Sequence, residues 1–408
     1  MSNMSNYSVR TVHSDWRAND EEVYQALKRA TAPLHRSWER LRKAKRIGIK
    51  FNQDKQKKEL ILHEGHRQQL VDDSVVRATL RLLRENTSAE IFTVDCAFYR
   101  HHTGTQEDTT QIRHVLKEFG VEHVEGSHDV VWGKVPGGGF MFDKYPMPRA
   151  CYEADEMISV QKLKSHAFMG VTLTTKNMFG LMPFEPTGRP RVYYHHLVRM
   201  PYMLADLAKL YDPALSILDG MVCQAGEEWG NGKDLVRFGN CLVAGDNCIA
   251  TDTVGAHLMG HAEQGEWLSE PFHRDRNHLR VAAEGGYGVN DLNAIDYKSE
   301  VGAPVANFFA KITDSRETVM SWRRTTAEQG LFYRDNRRLF EKYAGQYILL
   351  QMGEVKWHDP SGIVTASRRV LSGENPDQAM WMKYVDPEEA EGEHYEVYEK
   401  TLQEFVAA

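Results

Sequence analysis

Apolar and polar positions change period several times along the chain, and each change predicts an element. Val23, Leu27, Ala30 and Leu34 recur at helical spacing within residues 20–45, with Asn19 and Asp20 as cap candidates and Pro33 predicting a break. Residues 46–52, Arg-Ile-Gly-Ile-Lys-Phe-Asn, alternate as a strand does. Residues 53–68 are charged, lack a period and read as a surface loop. A second helical stripe, Val76, Leu80 and Leu83, starts at Asp73. Residues 90–95 form a short apolar run ending in an acid, followed by a helix over 109–119 and a strand over 120–124. Residues 157–160, 215–218 and 240–244 read as further strands, with helical periodicity over 197–211 and 248–260.

Strands alternating with helices predict an α/β fold, a mostly parallel sheet with helices on both faces. Beyond residue 304 the texture changes. Residues 305–340 read as helical, and 343–355 as two short strands around a glycine turn. The closing stretch, with Glu388, Glu389, Glu391 and Glu393, reads as acidic and solvated. The expected division is an N-terminal helical extension (1–45), an α/β core (46–303), and a helical linker with a small α+β C-terminal module (304–408). No solenoid-type repeat is visible.

Composition narrows the function classes. Of 408 residues, 41% are hydrophobic and 26% charged, enough apolar material for a large core. Lys and Arg total 50 against 57 Asp and Glu, a formal charge of −7, which argues against a nucleic-acid coat or a protein that coats anionic membranes. No apolar run suggests a membrane span, and the first residues lack the apolar core of a secretory signal. Cys96, Cys151, Cys223, Cys241 and Cys248 include no C-x-x-C pair, so no iron–sulfur cluster or four-cysteine zinc site is expected. Their odd, sparse count fits a reducing compartment, and the expected location is cytoplasmic. The expected partner is a small anionic molecule, with an oligomer left open.

In open α/β sheets, ligands gather beyond the carboxyl ends of the strands. Asp95, Asp219 and Asp246 end strand candidates and are expected to share one crevice. The most informative stretch is 155–183, where a strand delivers Lys162, Lys164 and His166 into its loop and Thr172, Thr175, Lys176 and Asn177 follow, with His195 and His196 beyond. Cations, hydroxyls and an amide at a strand end suit a carboxylate or phosphate. His166, Lys176 and Lys164 are the catalytic candidates, the others substrate-binding ones. The bland alternative is a solvated turn with scattered lysines, against which the interleaved Leu163, Phe168, Val171 and Leu173 would hold the polar residues in place.

A second cluster spans residues 218–232, where Gly220, Gly226, Gly230 and Gly232 allow close backbone approach and Asp219, Glu227 and Glu228 offer hard oxygen ligands. A glycine-rich surface loop explains the same composition, and no Walker or G-x-G-x-x-G order is present. In a third, Asp246 is placed to cap a helix and Asp252 to lie within it. Asp219, Glu227, Asp246 and Asp252 are the candidate ligands for a divalent metal. Weaker candidates are Gly137–Gly139 as a phosphate cradle, His63, His66, His101 and His102 as metal ligands, and Trp229 and Trp267 as platforms. A hairpin, solvated histidines and packing residues are the plainer readings of these.

In this order the clusters resemble the family known as domain of unknown function 362. The motifs are Ile47-Gly-Ile-Lys-Phe-Asn52, Lys162-Leu-Lys-Ser-His166, Thr172 to Gly180, Leu218-Asp-Gly220 with Gly226-Glu227, and Ala244-Gly-Asp246 leading to Ala250-Thr-Asp252. The resemblance covers residues 45–303 and adds Lys50 and Asn52 to the substrate-binding candidates. Phe51 stands where that family usually has Pro. The ferredoxin-like cysteine module of some relatives is absent, so no iron–sulfur role carries over. Residues 342–355 are similar to a small β-rich module appended to various bacterial proteins. A more distant similarity, through Asp155, His166, Gly170, Lys176 and Pro183, is to the nickel-pincer lactate racemases, without implying their cofactor.

The leading expectation is an enzyme acting by acid/base chemistry on a small carboxylate or phosphate, with His166 or a lysine moving the proton. The nearby acids would balance charge or hold a divalent metal. The alternatives are a non-catalytic anion-binding or sensor protein, and a metal-dependent hydrolase or redox enzyme.

Overall fold

A computed structural model describes residues 7–53, 55–96, 109–183, 188–228, 234–364 and 368–405. The predicted elements form where apolar periodicity is strong. Asn19 caps α1 (Asp20–Thr31) by accepting from Glu21 and Glu22 N–H groups, and the chain breaks around Pro33 before α2 (His35–Lys43). The main sheet is built from β1 (Ser8–His13), β2 (Arg46–Phe51), β3 (Glu90–Asp95), β4 (Glu122–Glu125), β5 (Glu156–His166), β6 (Gly170–Thr172), β7 (Leu215–Ala225), β8 (Leu235–Gly245) and β9 (Asp296–Ser299). Its order is β9-β1-β8-β7-β5-β2-β3-β4, with β6 folded back on β5. The run β7-β5-β2-β3-β4 is parallel throughout, whereas β8 is antiparallel to both β7 and β1.

Helices cover both faces, as the alternation predicts. On one face α1, α2, α3 (Asp73–Asn86) and α4 (Arg113–Glu118) bury Val23, Leu27, Leu41, Leu80 and Val115 against Ile49, Ile158 and Ile217. On the other lie α5 (Thr174–Asn177), α6 (Arg199–Tyr211), α7 (Cys248–Leu258) and α8 (His278–Glu284), with Val254 against Leu163 and Leu218, and Met203 in the cluster of Phe92 and Met157. After α9 (Arg316–Asp335), β10 (Tyr347–Gln351), β11 (Glu354–Asp359) and β12 (Trp381–Tyr384) form a three-stranded antiparallel sheet, and α10 (Glu396–Gln403) follows. Ile348, Leu350 and Trp381 of this sheet join the apolar cluster that holds α6.

Four differences from the sequence reading matter. Residues 8–13 form a strand inside the sheet rather than part of a helical extension. β5, β7 and β8 are each 11 residues long, β5 and β7 because Lys162, Lys164, Asp219 and Gln224 continue them as buried polar groups. Residues 53–68 include a two-stranded ribbon (62–63 with 66–67) and end in buried Arg67 and Gln68, so they are not wholly a surface loop. Finally, helix begins at Arg316 behind the Ser315 cap rather than at 305.

Candidate functional site

The candidate residues divide over the two faces of the sheet because side chains alternate along a strand. Lys50 is the register partner of Ser159 and lies on the α5 side. There its Nζ donates to Asp95 Oδ2 at 2.8 Å and to the Phe51 carbonyl. Asn177 ties this region together, donating to the carbonyls of Lys50 and Val160 and to Ser159 Oγ. Gly180 lies close against this pair, and a Cβ there would stand 2.6 Å from Lys50 Cε and displace the lysine side chain. Lys162 lies on the opposite face, fully buried, with Nζ 2.6 Å from Asp219 Oδ2, which also accepts from the Asp72 N–H. Asn52 is buried beyond β2 with its N–H on the Val160 carbonyl.

The third grouping is the one with an organised centre. Glu228 Oε1 is 2.8 Å from Lys164 Nζ, and its Oε2 is 2.8 Å from His166 Nε2, 3.2 Å from Thr172 Oγ1 and 3.4 Å from Lys176 Nζ. Strand register explains the convergence: Thr172 and Gly170 pair with Lys164 and His166, and Gln224 pairs with Lys164, so Lys164, Thr172 and Gln224 share a face. Lys176 reaches over from α5. Burial pushes the Glu228 carboxyl up, but Lys164, Lys176 and His166 together hold it well below the ordinary range.

His166 is fixed in one tautomer. Its Nδ1 accepts from the Phe168 and Met169 N–H groups at 3.0 and 3.1 Å, so Nε2 carries the proton and donates it to Glu228. Burial, then the Lys176 charge, lowers its pKa to about 4. The neutral ring, with its Nδ1 lone pair engaged, orients Glu228. His195 is beside it, with ring centroids 6.2 Å apart.

Two residues missed in the sequence belong with this centre. Gln224 is completely buried and neither end of its carboxamide has a hydrogen-bond partner. His278, at the start of α8, is also completely buried with both ring nitrogens unpartnered; burial, then the charges of Lys176 and His166, lowers its pKa to about 3. An orphaned buried polar group costs roughly 1–3 kcal/mol, so two in one neighbourhood call for an explanation. The one signal in sequence was a polar amide inside the run 218–225.

Other candidates lie elsewhere or have structural partners. Glu227 points to half-exposed Lys311 at 2.5 Å, so its neighbour Glu228 is the inward acid. Asp246 accepts from the Ser8 N–H, and Asn247, not Asp246, caps α7. Because β8 runs antiparallel to β7, Asp246 sits at the opposite edge of the sheet from Asp95, and the three acids do not share a crevice. Asp252 accepts from the N–H groups of Thr174 and Thr175 and from Thr174 Oγ1, capping α5, and burial raises its pKa to about 6. Asp219, Glu227, Asp246 and Asp252 are thus dispersed, and among the described residues no three His, Cys, Asp or Glu side chains are grouped to hold a metal. His196 bonds the Met380 and Leu197 carbonyls. The N–H groups of 140–142, beyond Gly137–Gly139, cradle the Asp206 carboxylate. His63 and His66 meet Trp16 edge-on, and Trp267 packs on Phe405. His101, His102, Trp229, Gly230 and Gly232 lie outside the described residues.

Sheet and site together define an open α/β protein with a polar, lysine-lined centre at the carboxyl edge of its parallel strands. Residues 57–257, just under half of the chain, match the family model Domain of unknown function (DUF362). Thylakoid-associated protein sll1697 of Synechocystis sp. is 34% identical over 123 residues, 29% of this chain and 36% of the relative, so the match spans about a third of that protein. The lactate racemase apoprotein of Thermoanaerobacterium thermosaccharolyticum superposes with a TM-score of 0.32 at 16% identity, over 55% of this chain and 52% of that one, a likeness that carries no argument. Among the described residues no helix is long and apolar enough to cross a membrane.

Proposed function

We propose that the protein is an enzyme that binds a small anionic substrate, a carboxylate or phosphate, between Lys164 and Lys176 and transfers a proton on it. The observation that carries this reading is the convergence of two buried lysines on one carboxylate, beside an amide and an imidazole with no protein partner. Lys176 is the proton carrier in this reading. It makes the longest contact to Glu228 and approaches from outside the sheet, whereas Lys164 is also held by the Gln69 carbonyl. Lys164 and His166 position the anion. The free, buried cysteines support a reducing, cytoplasmic location.

The test compares wild type with Lys176→Ala against a panel of small carboxylates and inorganic phosphate, by thermal shift and by NMR of the ligand. Stabilisation and ligand turnover in wild type, both lost in a folded Lys176→Ala, are expected. Equal shifts in the two proteins would overturn the reading. A non-catalytic anion-binding protein is the second reading, favoured by the locked His166 tautomer. It predicts saturable binding with the ligand recovered unchanged.

A further inference from the structure

We infer that the ligand of this pocket is a carboxylate that takes the seat now filled by the Glu228 side chain. The inference rests on the anion-pocket reading and narrows it. Glu228 is, among the described residues, the anion at the centre, and its partners all come from other elements: Lys164 and His166 from β5, Thr172 from β6 and Lys176 from α5. The donors meet two oxygens, one on Lys164 and the other on His166, Thr172 and Lys176. A ligand carboxylate fits these contacts as they stand, whereas the further oxygens of a phosphate would have to draw on groups beyond these four side chains.

The seat is occupied at a backbone cost. Glu228 has φ +86, a region that residues with a side chain rarely adopt. Its carbonyl is held by Gln69 Nε2 at 3.0 Å, and the Glu227 N–H by Asp234 Oδ1. Exchange with a ligand therefore needs only rotation of the Glu228 side chain, with its backbone fixed. A tethered carboxylate is a strong competitor, because its effective concentration is high. A ligand prevails by making bonds that Glu228 does not. Gln224, on the same face as Lys164, offers two amide donors and an acceptor, all unpartnered, and His278 offers its ring nitrogens. The ligand class that follows is a small carboxylate bearing a neutral hydrogen-bonding group.

The experiment uses the full chain, with acetate and inorganic phosphate as probes in calorimetric titrations of wild type, Glu228→Ala and Glu228→Gln. Acetate should bind Glu228→Ala at least ten-fold more tightly than wild type, with Glu228→Gln gaining several-fold and phosphate gaining less in both. Glu228→Gln keeps the side-chain volume and serves as the readout if the alanine variant does not fold. Equal acetate affinity in wild type and the variants, or an equal gain for phosphate, would overturn the inference while leaving an anion pocket in place. Failure of both anions to bind any of the three proteins would instead overturn the pocket reading, and the inference with it.

Discussion

The Glu228 centre and the cluster around Glu393 are both buried groups of opposite charges, yet they are finished to different degrees. Glu393 accepts from Arg199 Nη2 at 2.7 Å, Tyr398 OH at 2.7 Å and Lys383 Nζ at 2.8 Å. Arg199 also donates to the Met382 and Tyr193 carbonyls, and Lys383 to Glu389. The polar atoms of Glu393, Arg199, Tyr398 and Lys383 all have partners, and the Tyr395 hydroxyl is the one buried atom beside them that lacks one. Burial pushes the Glu393 carboxyl up, but Arg199 and Lys383 hold it at about 2. That network fastens α6 to β12 and the segment before α10, and a saturated network of this kind serves packing. Around Glu228 two lysines face one carboxylate, which leaves a positive charge in excess, and Gln224 and His278 are not satisfied. The two differ in what is left open beside the charges, one hydroxyl at Glu393 against a whole amide and a whole imidazole at Glu228, and that difference, rather than burial, marks the second as a site.

The largest expected effect is acid sensitivity, to which two histidines of the pocket and two elsewhere in the fold contribute. His166 and His261 are held at about 4 and His278 and His123 at about 3, in each case by burial first. Their unfolded value is about 6.5, so the unfolded chain takes up protons first and stability is lost as pH falls below that value. Each costs roughly 2–3 kcal/mol by pH 4.5. Asp206 and Asp252, both raised to about 6 by burial, act in the opposite sense and offset part of this loss. Urea midpoints at pH 7 and 4.5 should show a large net decrease, and His278→Phe should reduce it. The Glu393 cluster contains no histidine, and Arg199→Ala should change this slope only through the Glu393 carboxyl, which rises once Arg199 no longer holds it down.

Arg199→Ala should itself cost about 3–5 kcal/mol, because it strands the buried Glu393 charge with only Lys383. Lys176→Ala should cost about 1 kcal/mol, since Glu228 keeps Lys164 and His166, while anion binding is lost. Chemical denaturation of both variants checks the contrast, and a Lys176→Ala as damaging as Arg199→Ala would break it. Smallest is Glu227→Gln, whose exposed partner Lys311 makes a change within about 0.5 kcal/mol the expectation.

The strand cores and the α/β class were legible because apolar alternation records burial directly. Strand ends were not, because Lys162 and Asp219 neutralise each other inside the sheet and look like surface residues when read singly. The direction of β8 leaves no trace in the pattern, which is why Asp246 was grouped with Asp95. Glu227 and Glu228 are adjacent acids beyond the end of a strand, and only the fold decides which turns inward. Gln224 and His278 become visible through what they lack, a hydrogen-bond partner, which no sequence shows.

The most direct test of the central claim is a calorimetric titration of wild type and the double variant Lys164→Met/Lys176→Met with small carboxylates. The variant keeps the apolar stems of both side chains. The account predicts saturable binding in wild type and none in the folded variant, and equal affinity in the two would contradict it.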